Sequence, residues 1–380
     1  MPLKKPQEVI IKRYALVTAG RHIVQYGKSC LIIAGKHFLH SEDADILAAS
    51  LTLRDVGYEI EEYAGGEPEV NVIDRITARY CGEKIDSVIG VGGGSVLDTA
   101  KAVSGMLANE GGIERYLEFP DMRVMQNGPL PFIAIPTTAG TGAEATKNAV
   151  VRHAEKCYKK SFCDERLTAK CVIIDASLYM SASADVTAYS GMDALTQLIE
   201  AFTSRRADEQ TDEYCRQGFK HIRYLATAYS DPGNISAREE TAIAAFKSGI
   251  AISNCGVGAV HALASPIGAH TGLPHGLICG ILIPHVMKVN REHAIEKYAE
   301  IGRLLTGNSD VNDETMADEA IAAVKSLARS LKIPQTFRSE RLKNLAATIV
   351  GECINGGSML SNPAKYDEKF WMKLVTAVSR

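Results

Sequence analysis

The sequence predicts an α/β domain in the first half of the chain and an all-α domain in the second half. Three observations lead to this prediction. β-Branched runs alternate with helical patterns up to about residue 183, helical patterns alone follow, and a length of 380 residues suits two domains. Because strand–helix–strand alternation is typical of right-handed crossovers, we expect the sheet to be parallel. The predicted domains are residues 1–182 and 183–380.

The first domain contains short apolar runs bounded by turn residues, which are predicted strands. They cover residues 30–34, 58–61, 87–91, 131–135 and 171–174. Between them, apolar residues recur at helical spacing over 43–53, over 70–80 and after the glycines at 92–94. Each predicted helix thus connects two strands, as in βαβ units.

The second domain shows helical spacing throughout and little that resembles a strand. The predicted helices cover 185–203, 208–227, 236–254, 257–268, 275–304, 314–331 and 367–379. We expect these helices to bury their apolar stripes against one another.

The composition is that of a globular protein, with 46% hydrophobic and 23% charged residues, which excludes disordered and fibrous classes. A net charge of −3 gives no basic surface for nucleic acid or an anionic membrane. Aromatic residues make up only 6%, so platforms for stacking bases are scarce. No apolar run approaches the roughly 18 residues that span a bilayer, and a signal-peptide core is not evident. We expect a soluble protein without nucleic-acid or membrane partners.

Nine cysteines are scattered along the chain without a Cys-x-x-Cys pair. Their odd number and apolar surroundings indicate reduced core residues, and they argue against a disulfide framework or a zinc finger. The predicted compartment is therefore the cytoplasm.

A glycine run, Gly92-Gly93-Gly94-Ser95, stands between a predicted strand and a predicted helix. Glycines there let backbone N–H groups approach a phosphate, and the helix N-terminus adds roughly half a positive charge. Ser95 can cap the helix or donate to the phosphate. The run matches neither Gly-x-Gly-x-x-Gly nor a Walker loop, so a tight turn without a ligand is the open alternative.

A second cluster of small and hydroxyl residues follows the predicted strand 131–135 and includes Thr137, Thr138 and Thr141. The carboxyl ends of parallel strands lie at one edge of a sheet, so both clusters could meet on one diphosphate. A polar hairpin is the open alternative for this cluster.

Potential metal ligands occur in the second domain. Asp193 and Gln197 are four residues apart and share one face of a predicted helix, and His261 and His275 follow in later helical segments. One carboxylate and two imidazoles would form a three-ligand site with an open position, which a Lewis-acid catalyst needs. On spacing alone, these histidines could instead be buried core residues.

Together these motifs resemble the iron-containing, or group III, alcohol dehydrogenases. The matching segments are Gly92-Gly93-Gly94-Ser95 with Asp98, and the runs at 136–142, 191–195 and 273–276. The resemblance extends from about residue 10 to Asn362-Pro363. It implies the dehydroquinate synthase-like fold, in which a Rossmann-like N-terminal domain is followed by a helical C-terminal domain.

The resemblance also implies roles for individual residues. The cofactor would be bound by Gly35, Lys36, Gly93, Gly94, Ser95, Asp98, Thr137, Thr138, Thr141 and Lys160. The metal ligands would be Asp193, Gln197, His261 and His275. Asn148 falls where the family lines its substrate pocket, and His270 is the candidate for a proton relay.

Two positions depart from the family pattern. Residue 197 is Gln where the family usually has a histidine ligand, and residue 265 is Ser where it commonly has histidine. An amide oxygen binds Fe²⁺ or Zn²⁺ more weakly than imidazole does. The options are a three-ligand site completed by water or Gln197, a weakened site, or no metal. We expect a divalent metal, Fe²⁺ or Zn²⁺, because the glycerol dehydrogenase branch resembles the first option.

The cofactor preference is predicted from the end of the strand at 30–34. NAD-preferring members of the family commonly carry an Asp there, which bonds the ribose hydroxyls and repels a 2′-phosphate. Here Gly35 is followed by Lys36, which could pair with that phosphate. The resemblance therefore favours NADP(H) over NAD(H).

The implied reaction is hydride transfer between the nicotinamide and a small alcohol or aldehyde, whose oxygen the metal polarises. Three alternatives stay open: a metal-free maleylacetate-type reductase, a lyase resembling dehydroquinate synthase, and a catalytically silent NADP-binding protein. Dimers are common in the family, so we expect a homodimer.

Overall fold

The structure, a computed structural model, describes residues 3–156 and 158–380. Contacts between residues divide the chain into two compact units. The first unit runs to Thr138 and resumes over Gly142–Ala182, and the second consists of Ala139–Thr141 and Ser183–Arg380. Three residues from the first half of the chain therefore pack with the second unit.

Eight strands occur in the described part of the first unit. They are β1 (Glu8–Ile11), β2 (Ser29–Gly35), β3 (Gly57–Tyr63), β4 (Ser87–Gly92), β5 (Phe132–Pro136), β6 (Asn148–His153), β7 (Tyr158–Cys163) and β8 (Cys171–Ile174). Six of them form one sheet in the order β1-β8-β5-β4-β2-β3, and every pair in it is parallel. The other two, β6 and β7, pair as an antiparallel hairpin.

The helices of the first unit follow its strands. They are α1 (Ala19–Ile23), α2 (Lys36–Leu39), α3 (Glu42–Thr52), α4 (Val70–Tyr80) and α5 (Gly94–Met106). The predicted class, an α/β fold with a parallel sheet, is confirmed.

The sequence pattern does not predict β1 or the hairpin. β1 has only four residues, which alternate between half-buried and exposed, and β7 begins with the polar run Tyr158-Lys159-Lys160-Ser161. Neither has the continuous apolar run that marks β4 and β5, in which every residue is buried.

The second unit is built of helices, and the predicted all-α class is confirmed. Its helices are α6 (Ala184–Thr203), α7 (Glu209–Ile222), α8 (Leu225–Ser230), α9 (Ile235–Cys255), α10 (Ala259–Thr271), α11 (His275–Asn290), α12 (Ile295–Thr306), α13 (Asp313–Ser330), α14 (Glu340–Asn344), α15 (Ala346–Cys353), α16 (Gly357–Ser361) and α17 (Glu368–Val378). Two predicted helices each divide in two, because 208–227 corresponds to α7 and α8, and 275–304 to α11 and α12. The sequence does not predict α14 to α16, since such short helices show little periodicity.

One apolar cluster fills the interior of the second unit, and α6 contributes a long part of it. Residues 191–203 of α6 are all buried. Three of them, Asp193, Gln197 and Glu200, are polar or charged. Buried groups of this kind must be hydrogen-bonded, paired with a charge or bound to an ion, so their partners define what this part of α6 does.

Eight cysteines lie in the described ranges, and all eight are unpaired. Six of them are buried, Cys163 is half-buried and Cys81 is exposed. Cys157 lies outside the described residues.

Within the described ranges, no single helix is both long and apolar enough to cross a membrane. The pair α9 and α10, which meet at a bend of 101°, passes the same test of length and composition when taken together.

Candidate functional site

The two small-residue loops of the first unit lie side by side. β4 and β5 are neighbours, and their last residues, Gly92 and Pro136, are paired in register. The backbone N–H of Thr137 donates to the carbonyl oxygen of Gly92 over 2.9 Å. A Cβ atom added at Gly93 would lie 3.2 Å from Oγ1 of Thr138, so the absence of a side chain permits this close approach.

The loop after β4 leads directly into α5, which begins at Gly94. Ser95 stands in the first turn of this helix and is half-buried. The first N–H groups of a helix have no partner inside the helix, and the helix dipole adds positive charge there. This end of α5 therefore offers hydrogen-bond donors and positive potential to a diphosphate.

Gly35 is the last residue of β2, the strand next to β4. Chain neighbours aside, no described atom lies within 4 Å of the position that a Cβ at Gly35 would occupy. Lys36 begins α2 and is exposed. The end of β2 thus has open space, no carboxylate at residue 35, and a lysine next in sequence.

Asp98 lies on α5 and takes part in a network inside the first unit. One carboxylate oxygen accepts from the backbone N–H of Val150 over 3.0 Å, and the other lies 3.6 Å from Nζ of Lys101. The Lys101 side chain is fully buried. Its ammonium group donates to three oxygen atoms, which belong to Ala143, Thr146 and Asn148. Burial raises the pKa of Asp98 and lowers the pKa of Lys101.

Glu144 is buried in the same unit. Burial raises the pKa of its carboxyl to about 7, although the Lys101 ammonium opposes the shift. We call Asp98, Lys101 and Glu144 the buried ion cluster. Lys101 and Glu144 are not among the predicted site residues. A charged residue in an apolar stretch of sequence does not indicate which groups it will pair with in the fold.

The hairpin carries two residues with predicted ligand contacts. Asn148 begins β6, and its amide nitrogen lies 3.5 Å from the hydroxyl oxygen of Ser161. The ammonium group of Lys160 on β7 lies 5.3 Å from the ring centre of Phe119, a cation–π distance. Lys160 therefore has a partner within the first unit, and its contact with a cofactor stays a prediction.

Four side chains with metal-binding atoms converge in the second unit. Asp193 lies on α6, His261 on α10, and His275 and Cys279 one turn apart on α11. Their ligand atoms all lie within 4.8 Å of one another. Nε2 of His261 lies 3.1 Å from Oδ1 of Asp193, and Nε2 of His275 lies 3.6 Å from the same oxygen. We call these four residues the donor cluster.

A glycine at the start of α11 explains how the donor cluster is assembled. A Cβ atom at Gly276 would lie 2.0 Å from the carbonyl oxygen of Tyr189 on α6, so no side chain fits there. The start of α11 can therefore lie directly against α6. This contact brings the two donors of α11 beside Asp193.

Glu200 supports His261 from the side away from Asp193. Its Oε2 atom lies 2.6 Å from Nδ1 of His261, and its Oε1 atom accepts from the backbone N–H of Val260. A carboxylate at Nδ1 holds the proton on that nitrogen and leaves the lone pair of Nε2 for a metal. Glu200 is not among the predicted site residues, although residues 193, 197 and 200 share one face of α6.

The environment shifts the pKa values of the donor cluster. Burial alone would raise the pKa of Asp193, but His275 and His261 hold it below its ordinary value. Burial alone would lower the pKa of His261, but Glu200 and Asp193 raise it to about 10. Burial raises the pKa of the Cys279 thiol, and the Asp193 charge raises it further. Imidazole and thiol protons would have to leave when these atoms bind a metal.

Models of one protein family match both halves of the chain. The model described as "Iron-containing alcohol dehydrogenase" matches residues 6–176. The model described as "Fe-containing alcohol dehydrogenase family, C-terminal" matches residues 187–376. The chain belongs to the iron-containing alcohol dehydrogenase family.

Individual relatives agree with this family. The chain is 31% identical to an NAD-dependent methanol dehydrogenase of Bacillus methanolicus over 343 residues, which cover 89% of each chain. It is 32% identical to a 1,3-propanediol dehydrogenase of Klebsiella pneumoniae over 90% of this chain and 89% of the relative. A solved alcohol dehydrogenase from Oenococcus oeni superposes with a TM-score of 0.94 at 27% identity, with 99% of each chain covered. The chain is therefore an oxidoreductase that acts on CH–OH groups, and the predicted enzyme class is confirmed.

Family membership implies a nicotinamide dinucleotide and a divalent metal ion. The donor cluster fits such an ion, because carboxylate, imidazole and thiolate groups are all common ligands of divalent transition metals. The loops after β4 and β5 fit a diphosphate, since they combine a helix N-terminus with glycines that a side chain would obstruct.

Gln197, a predicted ligand, is hydrogen-bonded through both ends of its side-chain amide, and its ligand role stays a prediction. Its Nε2 atom donates to the carbonyl oxygen of Thr141 over 3.2 Å, and its Oε1 atom accepts from the hydroxyl of Ser248 over 2.7 Å. The oxygen that would bind the ion is thus already engaged. Thr141, a predicted cofactor residue, belongs to the second unit and supplies its carbonyl to this bond.

His270, the candidate proton relay, is hydrogen-bonded to a residue of α15, and its catalytic role stays a prediction. His270 lies nine residues after His261 on α10, or about 13 Å along the helix axis. Its Nε2 atom lies 2.8 Å from a carboxylate oxygen of Glu352 on α15. This imidazole is therefore paired away from the donor cluster.

Proposed function

We propose that this enzyme interconverts small alcohols and their aldehydes by hydride transfer to or from NAD(P)(H), with a divalent metal ion at the donor cluster. Residues 1–182 would supply the cofactor-binding loops, and residues 183–380 the metal-binding and substrate-binding groups. The observation that carries the proposal is the convergence of Asp193, His261 and His275 from three different helices.

The convergence buries Asp193 and His261 together, where they pair with each other and His261 also pairs with Glu200. The side chains of Asp193 and His261 are only 4% and 10% exposed, and burying charged groups is unfavourable unless they are paired or bind an ion. The His275 side chain is 39% exposed, so the cluster has one side open to solvent. A substrate oxygen could approach the ion from that side.

A divalent ion held there would polarise the substrate oxygen and stabilise its developing negative charge, while the nicotinamide takes up or releases the hydride. The residues of the chain prepare the site for this. Glu200 keeps the proton of His261 on Nδ1, so that Nε2 stays available as a ligand. Asp193 adds a negative charge that favours a cation.

The cofactor would be held by the first unit. The N-terminus of α5 with Ser95 offers donors to the diphosphate, and Thr137 and Thr138 lie beside the same glycines. Gly93, Gly94, Asp98, Thr141 and Lys160 are further predicted cofactor residues. The loops after β4 and β5 lie at the carboxyl ends of these strands, where parallel sheets bind ligands.

We infer that NADP(H) is preferred over NAD(H). A 2′-phosphate near Gly35 would meet no carboxylate at that position, and the exposed Lys36 could pair with it. The relative from Bacillus methanolicus is named as NAD-dependent. The ratio of activity with the two cofactors is therefore the measurement that decides this point.

We also propose that the enzyme is a homodimer in the cytoplasm. Its metal ion would be Fe²⁺ or Zn²⁺. Sedimentation equilibrium tests the assembly, because a homodimer has twice the mass of the chain. Elemental analysis of protein purified without chelators tests the ion.

The central experiment compares metal-depleted with metal-reloaded enzyme. Turnover is followed with NAD(H) and NADP(H) on methanol, 1,3-propanediol and their aldehydes; the two alcohols are the compounds in the relatives' names. We expect turnover to be lost on depletion and to return with Fe²⁺ or Zn²⁺. Full turnover without metal would instead support a maleylacetate-type reductase, and cofactor binding without turnover would indicate a catalytically silent protein.

A further inference from the structure

We propose that Cys279 is the fourth protein ligand of the metal, so that the ion is held by one carboxylate, two imidazoles and one thiolate. This inference rests on the proposed function, because it concerns the same metal site. It replaces the predicted ligand Gln197 with a residue that the sequence analysis treats as part of the core.

The position of Cys279 fits this role. Cys279 follows His275 by one turn of α11, so both side chains lie on one face of the helix. Its Sγ atom lies 3.6 Å from Nε2 of His275. In a tetrahedral zinc site, bonds of about 2.3 Å to sulfur and about 2.05 Å to nitrogen separate these atoms by about 3.6 Å.

Two further spacings in the cluster agree with one shared ion. Ligand atoms at about 2.05 Å from a tetrahedral centre lie about 3.3 Å apart. The two imidazole nitrogens lie 3.1 Å and 3.6 Å from Oδ1 of Asp193. Small side-chain adjustments would thus suffice to place all four atoms around a metal.

Charge supports the same assignment. Cys279 is buried next to Asp193, and the two interact directly. Two neighbouring negative charges in the interior would be unfavourable without a cation. A divalent ion balances the carboxylate and the thiolate, and the thiol proton is released to solvent when the ion binds.

Gln197 lies in the family's ligand position but is held by other partners. Its Oε1 atom already accepts from the hydroxyl of Ser248 at 2.7 Å, and its Nε2 atom donates to the carbonyl of Thr141. The sulfur of Cys279 lies within 4.8 Å of the ligand atoms of Asp193, His261 and His275.

A thiolate changes what the site binds. Thiolate is a softer ligand than imidazole, so this set favours Zn²⁺ over Fe²⁺ more than a site with three imidazoles would. Four protein ligands do not exclude the substrate oxygen, because zinc can expand to five ligands during a reaction.

The test is the absorption spectrum of the full-length protein loaded with Co²⁺ in place of its metal. We expect bound Co²⁺ to show a near-ultraviolet thiolate-to-cobalt charge-transfer band, and Cys279→Ser to lose that band. Cys255→Ser is the matched control. This cysteine is buried in the same unit, and its thiol donates hydrogen bonds to backbone carbonyl oxygens. Gln197→Ala should keep both the cobalt and the band.

X-ray absorption of the Zn²⁺-loaded wild-type protein gives a second measurement that needs no variant. We expect one sulfur neighbour of zinc at about 2.3 Å. Bound metal without a sulfur neighbour, or a charge-transfer band that persists in Cys279→Ser, would overturn the role of Cys279 and leave the proposed function standing. A wild-type protein that binds no divalent metal would overturn both.

Discussion

The buried ion cluster of the first unit and the donor cluster of the second both place charged groups in the interior, but they satisfy them differently. Lys101 directs three hydrogen bonds to oxygen atoms of the chain. In the donor cluster, by contrast, a carboxylate oxygen, two imidazole nitrogens and a sulfur gather at one point. In the first cluster Lys101 offers only donors, whereas the second gathers four atoms that can each give a lone pair to a metal.

This difference separates a structural charge from a functional one. A buried charge whose partners are all supplied by the chain stabilises the fold and needs no ligand. A group of lone-pair atoms becomes favourable when a cation joins it. Substitutions in the two clusters should therefore have opposite signatures: loss of stability in the first, and loss of metal and activity in the second.

The largest effect is expected from Asp193→Ala. Metal polarisation of the substrate oxygen contributes several kcal/mol, so kcat/KM should fall by about 10³-fold or more together with the metal content. The control is Asp185→Ala, an exposed residue in the first turn of the same helix. Steady-state kinetics measures kcat/KM of each variant, and elemental analysis measures its metal content. An active Asp193→Ala enzyme would contradict a catalytic role for the donor cluster.

Lys101→Met should mainly destabilise the fold. Removing one member of a buried charged group leaves its partners unpaired, which costs about 3–5 kcal/mol of the free energy of unfolding. Denaturant titration measures this cost, and metal content of the folded protein should stay unchanged. Lys84→Met, at an exposed lysine of the same unit, should change stability by only about 0.5 kcal/mol. Equal losses of unfolding free energy in the two variants would show that Lys101 does not stabilise the fold.

The same cluster should make stability depend on pH through Glu144. Its pKa rises from 4.5 to about 7 on folding, so the folded protein binds this proton more tightly. The stabilisation is complete below pH 4.5 and is lost as pH rises through about 7. A shift of this size is worth on the order of a few kcal/mol of folding stability.

Unfolding free energies at several pH values between 5 and 8 measure this effect. The stability of wild type relative to Glu144→Gln should fall across that range. The difference between wild type and Glu83→Gln, at an exposed glutamate, should stay constant. A constant difference for Glu144→Gln as well would contradict the assignment of a raised pKa.

A smaller effect is expected from Glu200→Gln, which tests how His261 is oriented in the donor cluster. Loss of the carboxylate behind His261 should weaken metal affinity by about 10–100-fold without removing a ligand. Competition with a chelator measures the affinity. Glu296→Gln changes an exposed glutamate in the same unit and should leave the affinity as it is. An unchanged affinity in Glu200→Gln would mean that His261 is oriented by other contacts.

The smallest expected effect concerns the end of β2 in the first unit, where the cofactor preference is proposed to be set. Gly35→Asp places a carboxylate at the end of β2 and should shift the ratio of NADP(H) to NAD(H) activity about tenfold toward NAD(H), or about 1.4 kcal/mol. Gly128→Asp, at an exposed glycine without close neighbours, is the control. Equal ratios in wild type and Gly35→Asp would show that another residue selects the cofactor.

Elements with a strong local pattern could be predicted from the sequence. α4 matches its prediction at both ends, because Val70, Ile73, Ile76 and Tyr80 form one buried stripe. The strands β4 and β5 are continuous apolar runs between turn residues. In each case the signal lies within a dozen residues, where periodicity can be counted.

Partnerships formed by tertiary packing could not be predicted. Gln197 occupies a ligand position by spacing, but Ser248 on α9 determines where its oxygen points. Cys279 stands among apolar residues in the sequence, which predicts a core position. Only the packing of α11 on α6 places it beside Asp193. Lys101 likewise gains its role only from β6 and the loop before it.

The assignment of Ala139–Thr141 to the second unit has a consequence for recombination between related genes. A single crossover near codon 183 would exchange the helical half but leave these three residues from the original parent. A first parent with any residue other than glycine at position 140 would then place a Cβ within about 3 Å of residue 190 from the second parent. Functional hybrids should therefore carry both segments from one parent.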